Sequence, residues 1–352
     1  MNIRSTSSFE FKSNQIIIDV RSPTEYEEDH IAGAINLPVL NDDEYSHIGK
    51  VYKNNSAFEA ARLGSAKVSK NISEYLADFF SGVDKKAEMI FYCARGGKRS
   101  RAFATVCKMV GWDPQIIEGG YKSYRQHVVS TTKRIASDLS VIILAGKTGV
   151  GKTDILKFLK SKGEAVIDLE ALANHRGSVL GSSPTREQPK QKFFESQLYI
   201  TLQKLSSKCP VFVEAESNKI GNLFIPNELW RTMQRSPTIM IENNVENRVS
   251  YILEEYDQNF LIKKEIPILL SIIKKKHPQI DYAKLKENLE KKNWQVFVSD
   301  LITQYYDPLY LHSISRRKQN SIDTIRAEKS VKLSIPEISH KICSIVEKWK
   351  HR

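Results

Sequence analysis

The sequence predicts an α/β protein: two parallel α/β domains in series, the second running on into a helical, basic C-terminal part. Three observations carry this. The chain has 352 residues, a length that usually divides into two domains. Short apolar runs of strand length alternate with stretches of helical spacing, the pattern of parallel sheets with helical crossovers. A complete Gly-x-x-x-x-Gly-Lys-Thr run, Gly146 to Thr153, stands between an apolar run and a helical one. Composition and spacing place the first domain at 1–130, a linker at 131–139, the phosphate-loop domain at 140–245 and the C-terminal part, packed with it, at 246–352.

The first domain opens on Ile16-Ile17-Ile18-Asp19-Val20-Arg21, a buried strand ending in a polar pair. Ser22-Pro23-Thr24-Glu25-Tyr26 carries helix-start chemistry, and Ile35 and Leu37 form a short strand after a turn at Gly33. Met89-Ile90-Phe91-Tyr92 is the next strand. Cys93 follows at once, then Ala94-Arg95-Gly96-Gly97-Lys98-Arg99-Ser100. The two glycines let the backbone curl with its N–H groups inward. A helix is expected from Arg99, with Ala102, Val106 and Met109 on one face and Gly111 at its end. The thiol then sits at a helix N-terminus beside Arg95, Lys98 and Arg99, a field that favours thiolate and holds an anion. The alternative is a buried structural cysteine, which needs neither glycines nor cations. Gln115-Ile116-Ile117 is a further strand, closed by Glu118-Gly119-Gly120. Tyr121 to His127 reads as the closing helix, and Ser130 to Asp138 as a polar connection.

In the second domain Val141 to Ala145 is a strand, the helix runs over 154–162, and Gly163 caps it. Gly146, Gly149 and Gly151 shape a loop whose N–H groups wrap phosphates; Lys152 adds a point charge and Thr153 is placed to hold a magnesium ion. Strands follow at 165–168, 211–214 and 238–241, leaving Asp168, Glu214 and Glu216 at strand ends, where acids face a ligand. Arg176 contacts phosphate or RNA, or is a solvated loop arginine. Beyond Asn247, Lys263, Lys264, Lys274, Lys275, Lys276, Lys284, Lys286, Lys291 and Lys292 give a basic surface. Tyr305, Tyr306 and Tyr310 interleave near Arg316 and Arg317. Cations with stacking rings hold single-stranded RNA; the alternative is a lysine-rich helical face over core tyrosines.

The net charge of +12 fits a polyanionic partner, nucleic acid first, or mere solubility. No apolar run is long enough to span a bilayer, and the N-terminus lacks the apolar core of a signal peptide. Four cysteines without paired spacing suggest neither a zinc site nor a disulfide framework, and point to a reducing cytoplasm.

Asp19-Val20-Arg21, Glu25-Tyr26 and His30-Ile31-x-Gly33-Ala34-Ile35-Asn36-Leu37-Pro38, followed by Cys93 and Arg99-Ser100, resemble a rhodanese domain. In that family the cysteine carries a persulfide; by resemblance Cys93 takes that role, Asp19 and Arg21 support the loop, and His30 fixes a turn. Five residues separate Cys93 from Arg99, one more than in the usual rhodanese loop. The spacing is shared with cysteine phosphatases, although Tyr92 stands where they carry histidine and no acid loop is evident.

A rhodanese-like domain joined to a P-loop NTPase-like domain resembles the tRNA 2-selenouridine synthase family, across nearly the whole chain. The pieces are Tyr92-Cys93-x-Arg95-Gly96-Gly97-x-Arg99-Ser100, Glu118-Gly119-Gly120-Tyr121-Lys122-x-Tyr124-Arg125, the P-loop, Leu172 to Ser178, Val213-Glu214-Ala215-Glu216-Ser217 and Tyr306-Asp307-Pro308. The resemblance implies a transferase that replaces the 2-thio sulfur of the tRNA wobble uridine (U34) with selenium from selenophosphate, through a selanyl-cysteine on Cys93, after S-geranylation with geranyl diphosphate. Arg95, Gly96, Gly97, Lys98, Arg99 and Ser100 would form the anion-binding loop. Gly146, Gly149, Gly151, Lys152 and Thr153 would grip the diphosphate, the alternatives being a nucleotide or tRNA phosphate; no cofactor is expected to be tightly bound, and the P-loop leaves room for magnesium. Arg176, Lys274, Lys275, Lys276, Arg316 and Arg317 would hold the anticodon arm. Three other functions stay open: a plain sulfurtransferase, a Cys-x5-Arg phosphatase with Cys93 as nucleophile, and a nucleotide-switched RNA-binding adaptor.

Overall fold

Ile16, Ile17 and Ile18 pair in parallel register with Met89, Ile90 and Phe91, and this apolar pair is the spine of the first of two units. The structure is a computed structural model that describes residues 2–175, 187–205, 210–255, 266–314 and 320–350. One unit comprises Met1–Thr132 with Glu195–Tyr199; the other comprises Lys133–Phe194 with Ile200–Arg352.

In the first unit β1 (Arg4–Thr6), β2 (Gln15–Asp19), β3 (Ile35–Asn36), β4 (Glu88–Tyr92) and β5 (Gln115–Ile117) form an all-parallel sheet in the order β1-β5-β4-β2-β3. Helix α1 (Pro23–Glu28) starts with a reciprocal capping box between Ser22 and Glu25. Helices α2 (Asp42–Asn54) and α3 (Ala57–Ala77) lie between β3 and β4. Helix α4 (Lys98–Val110) follows β4, and α5 (Gly120–Asp138) follows β5. Met89, Phe91, Phe103 and Cys107 meet in the core. The register sets Asp19 opposite Tyr92, so the polar end of β2 lies beside the residue that precedes Cys93.

Two expectations are corrected here. The fully buried stripe of α4 is Ser100, Phe103, Ala104 and Cys107, an i, i+3, i+4, i+7 set. Ala102 and Val106 only flank that core, and Met109 is 68% exposed. The stretch expected as a linker is helical, because α5 continues to Asp138. Most of its polar residues face out, while along α5 Tyr124, Val128, Thr132 and Ala136 recur every four residues and are buried.

In the second unit β6 (Val141–Gly146), β7 (Val166–Ile167), β8 (Val211–Glu214), β11 (Thr238–Asn243) and β12 (Ser321–Ala327) form a parallel sheet in the order β12-β11-β6-β8-β7. β9 (Lys219–Ile220) and β10 (Leu223–Phe224) form a short hairpin. Every residue of the central β6 is buried. Helices α6 (Lys152–Ser161), α7 (Leu169–Leu172), α8 (Gln191–Gln203), α9 (Asn227–Arg235) and α10 (Val245–Glu255) connect these strands. The C-terminal part is largely helical, with a core of Leu269, Ile273, Leu285, Phe297 and Tyr305, and it also supplies β12. No helix among the described residues is long and apolar enough to cross a membrane.

Candidate active site

The loop after β4 closes around the sulfur of Cys93. Gly97 N–H donates to Sγ at 3.2 Å and the Ser100 hydroxyl donates at 3.3 Å. Cys93 is 4% exposed. That burial is the largest influence and works against a thiolate. It is outweighed by the Ser100 hydroxyl and by the backbone N–H groups of Ser100, Arg95 and Gly97, which together hold the thiol below its usual value. Cys107, inside α4, has no such ring, and burial pushes it up to about 12. The donors set the chemistry, and the bland reading of a buried cysteine applies to Cys107 instead.

Cations contribute less than expected. Arg99 is held by Glu25 through two hydrogen bonds of 2.8 and 3.3 Å and stacks over the Tyr45 ring at 4.9 Å. Glu25 is fixed in turn by the α1 cap. The charge of Arg99, expected to face an incoming anion, is met here by a carboxylate. Arg95 and Lys98 are exposed.

Behind the loop, Gly120 has φ +59°, and a Cβ there would stand 2.2 Å from the Cys93 carbonyl and 2.4 Å from the Gly96 nitrogen. Backbone packs on backbone, which only glycine permits. Tyr121 N–H donates to the Cys93 carbonyl at 2.8 Å, and Lys122 N–H to that of Ala94 at 3.0 Å. Asp19 and Arg21 are buried and joined by Nη2–Oδ2 and Nε–Oδ1 bonds of 2.6 and 3.0 Å. His30 stacks on Tyr26 at 3.9 Å and bonds the Tyr26 carbonyl, a turn-fixing place.

In the second unit the Gly146–Thr153 run links β6 to α6. Lys152 Nζ donates to the Gly146 carbonyl at 2.8 Å, and the Thr153 hydroxyl donates to Glu170 at 2.9 Å. Glu170 N–H donates to Glu214 at 2.8 Å, and Glu170 is also hydrogen-bonded to Glu216. Burial first, then the fields of Asp168, Glu170 and Glu216, push Glu214 well above the ordinary carboxylate value. Asp168 caps α7 by accepting from Ala171 N–H. A cleft of about 120 Å³ opens here, lined by Gly149, Lys152, Thr153, Glu170, Tyr251 and Ile252 among others. Among the described residues no three His, Cys, Asp or Glu side chains are grouped to hold a metal on their own. A magnesium ion would draw on Thr153, Glu170 and phosphate oxygens together.

Both domains match known families. A family model described as a rhodanese-like domain matches residues 9–127, and one described as the tRNA 2-selenouridine synthase AAA domain matches residues 139–266. The chain is 32% identical to tRNA 2-selenouridine synthase of Nitrosomonas europaea, over 88% of this chain and 92% of that one. It is 33% identical to tRNA 2-selenouridine synthase of Bdellovibrio bacteriovorus, over 87% of this chain and 91% of that one. The chain belongs to the tRNA 2-selenouridine synthase family.

Within this family member the structure brings Cys93, Gly97, Ser100 and the Arg95 backbone together, and Lys152 and Thr153 into one cradle. Two residues that sequence reasoning missed complete the cradle. Glu170 had a weak signal, lying two residues past the strand-end Asp168. Arg248 had none, being one arginine in a helical stretch. It is 1% exposed, donates to the Thr148 carbonyl at 2.8 Å and holds Asp307 with bonds of 2.6 and 3.0 Å. Lys147 also pairs with Asp307 at 3.2 Å. The Tyr306-Asp307-Pro308 stretch thus braces the P-loop, and Tyr305, at 4% exposure, is core and not a stacking platform. Lys274, Lys275 and Lys276 are exposed, whereas Lys284, Lys286 and Lys291 pair with Asp300, Glu290 and Glu287, which shrinks the basic surface. Arg176, Arg316, Arg317, Lys263 and Lys264 lie outside the described residues. A Cys-x5-Arg phosphatase would need its arginine on the oxyanion, and Glu25 occupies Arg99 here.

Proposed function

We propose that this chain is a tRNA-modifying transferase that replaces the 2-thio sulfur of the wobble uridine with selenium from selenophosphate, with Cys93 as the residue that carries selenium as a selanyl-cysteine. Relatives named tRNA 2-selenouridine synthase, matched over most of both chains, support the reaction. One observation carries the assignment of the residue: Gly97 N–H and the Ser100 hydroxyl converge on the Cys93 sulfur and hold its thiol below the usual value, while burial pushes Cys107, in the helix that follows, up. The same donors suit a selenium atom on that sulfur, since they already face it. Arg95 and Lys98, exposed at the loop, suit the approach of the selenophosphate anion.

The finer steps belong to the same reading. The P-loop takes geranyl diphosphate, its N–H groups and Lys152 gripping the diphosphate, and the uridine sulfur is prenylated first to make it a better leaving group. Thr153 and Glu170 would hold a magnesium ion there, which supplies charge neutralisation to the departing diphosphate. Lys274, Lys275 and Lys276, exposed at the end of one helix, suit the phosphates of the anticodon arm. The test is the Cys93→Ser variant, assayed by mass analysis of tRNA nucleosides with selenophosphate supplied. Loss of selenouridine with tRNA affinity retained is expected; undiminished selenouridine would sink the assignment.

A further inference from the structure

Asp19 and Arg21 are the residues expected to support the Cys93 loop, yet the hydrogen bonds of the Arg21 guanidinium go to Asp19 and to the Asp29 carbonyl, the latter at 2.6 Å. The link to the loop is a third residue. The Arg21 guanidinium lies over the Tyr121 ring, 4.0 Å from its centroid, a desolvated cation–π contact. The Tyr121 hydroxyl donates to Asp29 Oδ2 at 2.8 Å. Asp29 is fully buried, and the same oxygen accepts from Ser196 at 2.9 Å. Tyr121 is thus held at both its ring and its hydroxyl, and its backbone presses on the loop.

The peptide geometry shows why that matters. In a planar trans peptide the C=O and the following N–H point in opposite directions. The N–H of Lys122 ties down the Ala94 carbonyl, and that of Tyr121 ties down the Cys93 carbonyl. Anchoring the Ala94 carbonyl on α5 turns the Arg95 N–H away from α5, and fixes the start of the loop whose Gly97 N–H reaches the Cys93 sulfur at 3.2 Å. Gly120 keeps the two backbones close enough for both bonds.

We propose that Tyr121 is a positioning residue for selenium transfer: pinned by Arg21 and Asp29, it holds the first turn of α5 against the loop and so aims the loop's N–H groups at Cys93. The proposal rests on Cys93 being the reactive sulfur. Its test therefore reads that sulfur without selenium or tRNA, so that the two readings fail separately. Wild type, Tyr121→Leu and Tyr121→Phe are alkylated with iodoacetamide across a pH series, and the Cys93 peptide is quantified by mass spectrometry. Tyr121→Leu loses both ring and hydroxyl. Its alkylation midpoint should move up toward that of an ordinary thiol, and kcat for selenium transfer should fall about tenfold with KM for tRNA unchanged. Tyr121→Phe keeps the ring under Arg21 and should show a smaller rise. A folded Tyr121→Leu protein with the wild-type midpoint overturns the proposal, since a merely structural residue would lower the melting temperature without moving it. Should Tyr121→Leu fail to fold, Tyr121→Phe decides: a raised midpoint supports the proposal and an unmoved one overturns it.

Discussion

The sulfur of Cys93 and that of Cys107 differ in one respect that matters, the N–H and O–H groups within reach. At the residue scale, activation here comes from oriented dipoles more than from full charges, because Arg99, the one half-buried cation of the loop, is matched by Glu25. The ring of donors in turn depends on close backbone approach. Gly120→Ala would place a methyl 2.2 Å from the Cys93 carbonyl at φ +59°, and neither neighbour is a side chain that can swing aside. We expect the variant to lose at least ~1–3 kcal/mol of stability and to raise the Cys93 alkylation midpoint. Urea unfolding with the same alkylation assay checks both. A stable variant with an unmoved midpoint would show that the loop keeps its shape without that contact.

At the scale of elements, the P-loop is a strand-to-helix turn braced from outside. Arg248 of α10 reaches the Thr148 carbonyl and Asp307 together, fully buried. Removing one partner of a buried, hydrogen-bonded ion pair leaves an uncompensated charge, typically costing about 3–5 kcal/mol. Lys147 remains as a second partner for Asp307 and should soften the loss. Arg248→Met is therefore expected to destabilise the second unit by roughly 2–4 kcal/mol and to weaken diphosphate binding. Denaturant unfolding and diphosphate titration measure the two effects. Wild-type binding and stability would mean that the P-loop holds its shape without the brace.

At the scale of the whole molecule, each unit is a parallel sheet with its site just past the C-terminal end of a central strand, β4 in one and β6 in the other. Such ends gather loops and helix N-termini, which is where anions bind. With the sites in separate units, separate half-reactions are expected. On the proposed geranyl diphosphate reading of the P-loop, Lys152→Ala should slow prenyl transfer by roughly two to three orders of magnitude, as for the loss of other positioned electrostatic groups, while Cys93 still accepts selenium. The variant should convert S-geranylated tRNA to selenouridine and fail on the 2-thiouridine form. Both tRNAs are supplied and each nucleoside is quantified. Equal loss on both would assign Lys152 to tRNA binding or to the architecture of its unit.

The sequence by itself determined the α/β class, the thiol at a strand-to-helix junction and the phosphate loop, because each is a local pattern. Apolar runs mark buried strands, glycines mark tight backbone, and Gly-x-x-x-x-Gly-Lys-Thr is contiguous. It misplaced the buried face of α4 and took the end of α5 for a connection, because the side of a helix that is buried depends on what packs against it. It also counted charges without their partners. Arg99 reads as an anion binder until Glu25, from a helix 74 positions earlier, is folded against it, and the lysines of the C-terminal part read as basic until their acids are placed beside them. The Thr153–Glu170 contact, the Arg248–Asp307 brace and the Tyr121–Asp29 bond join residues from 17 to 92 positions apart. No local pattern encodes such pairings, and only the tertiary structure decides them.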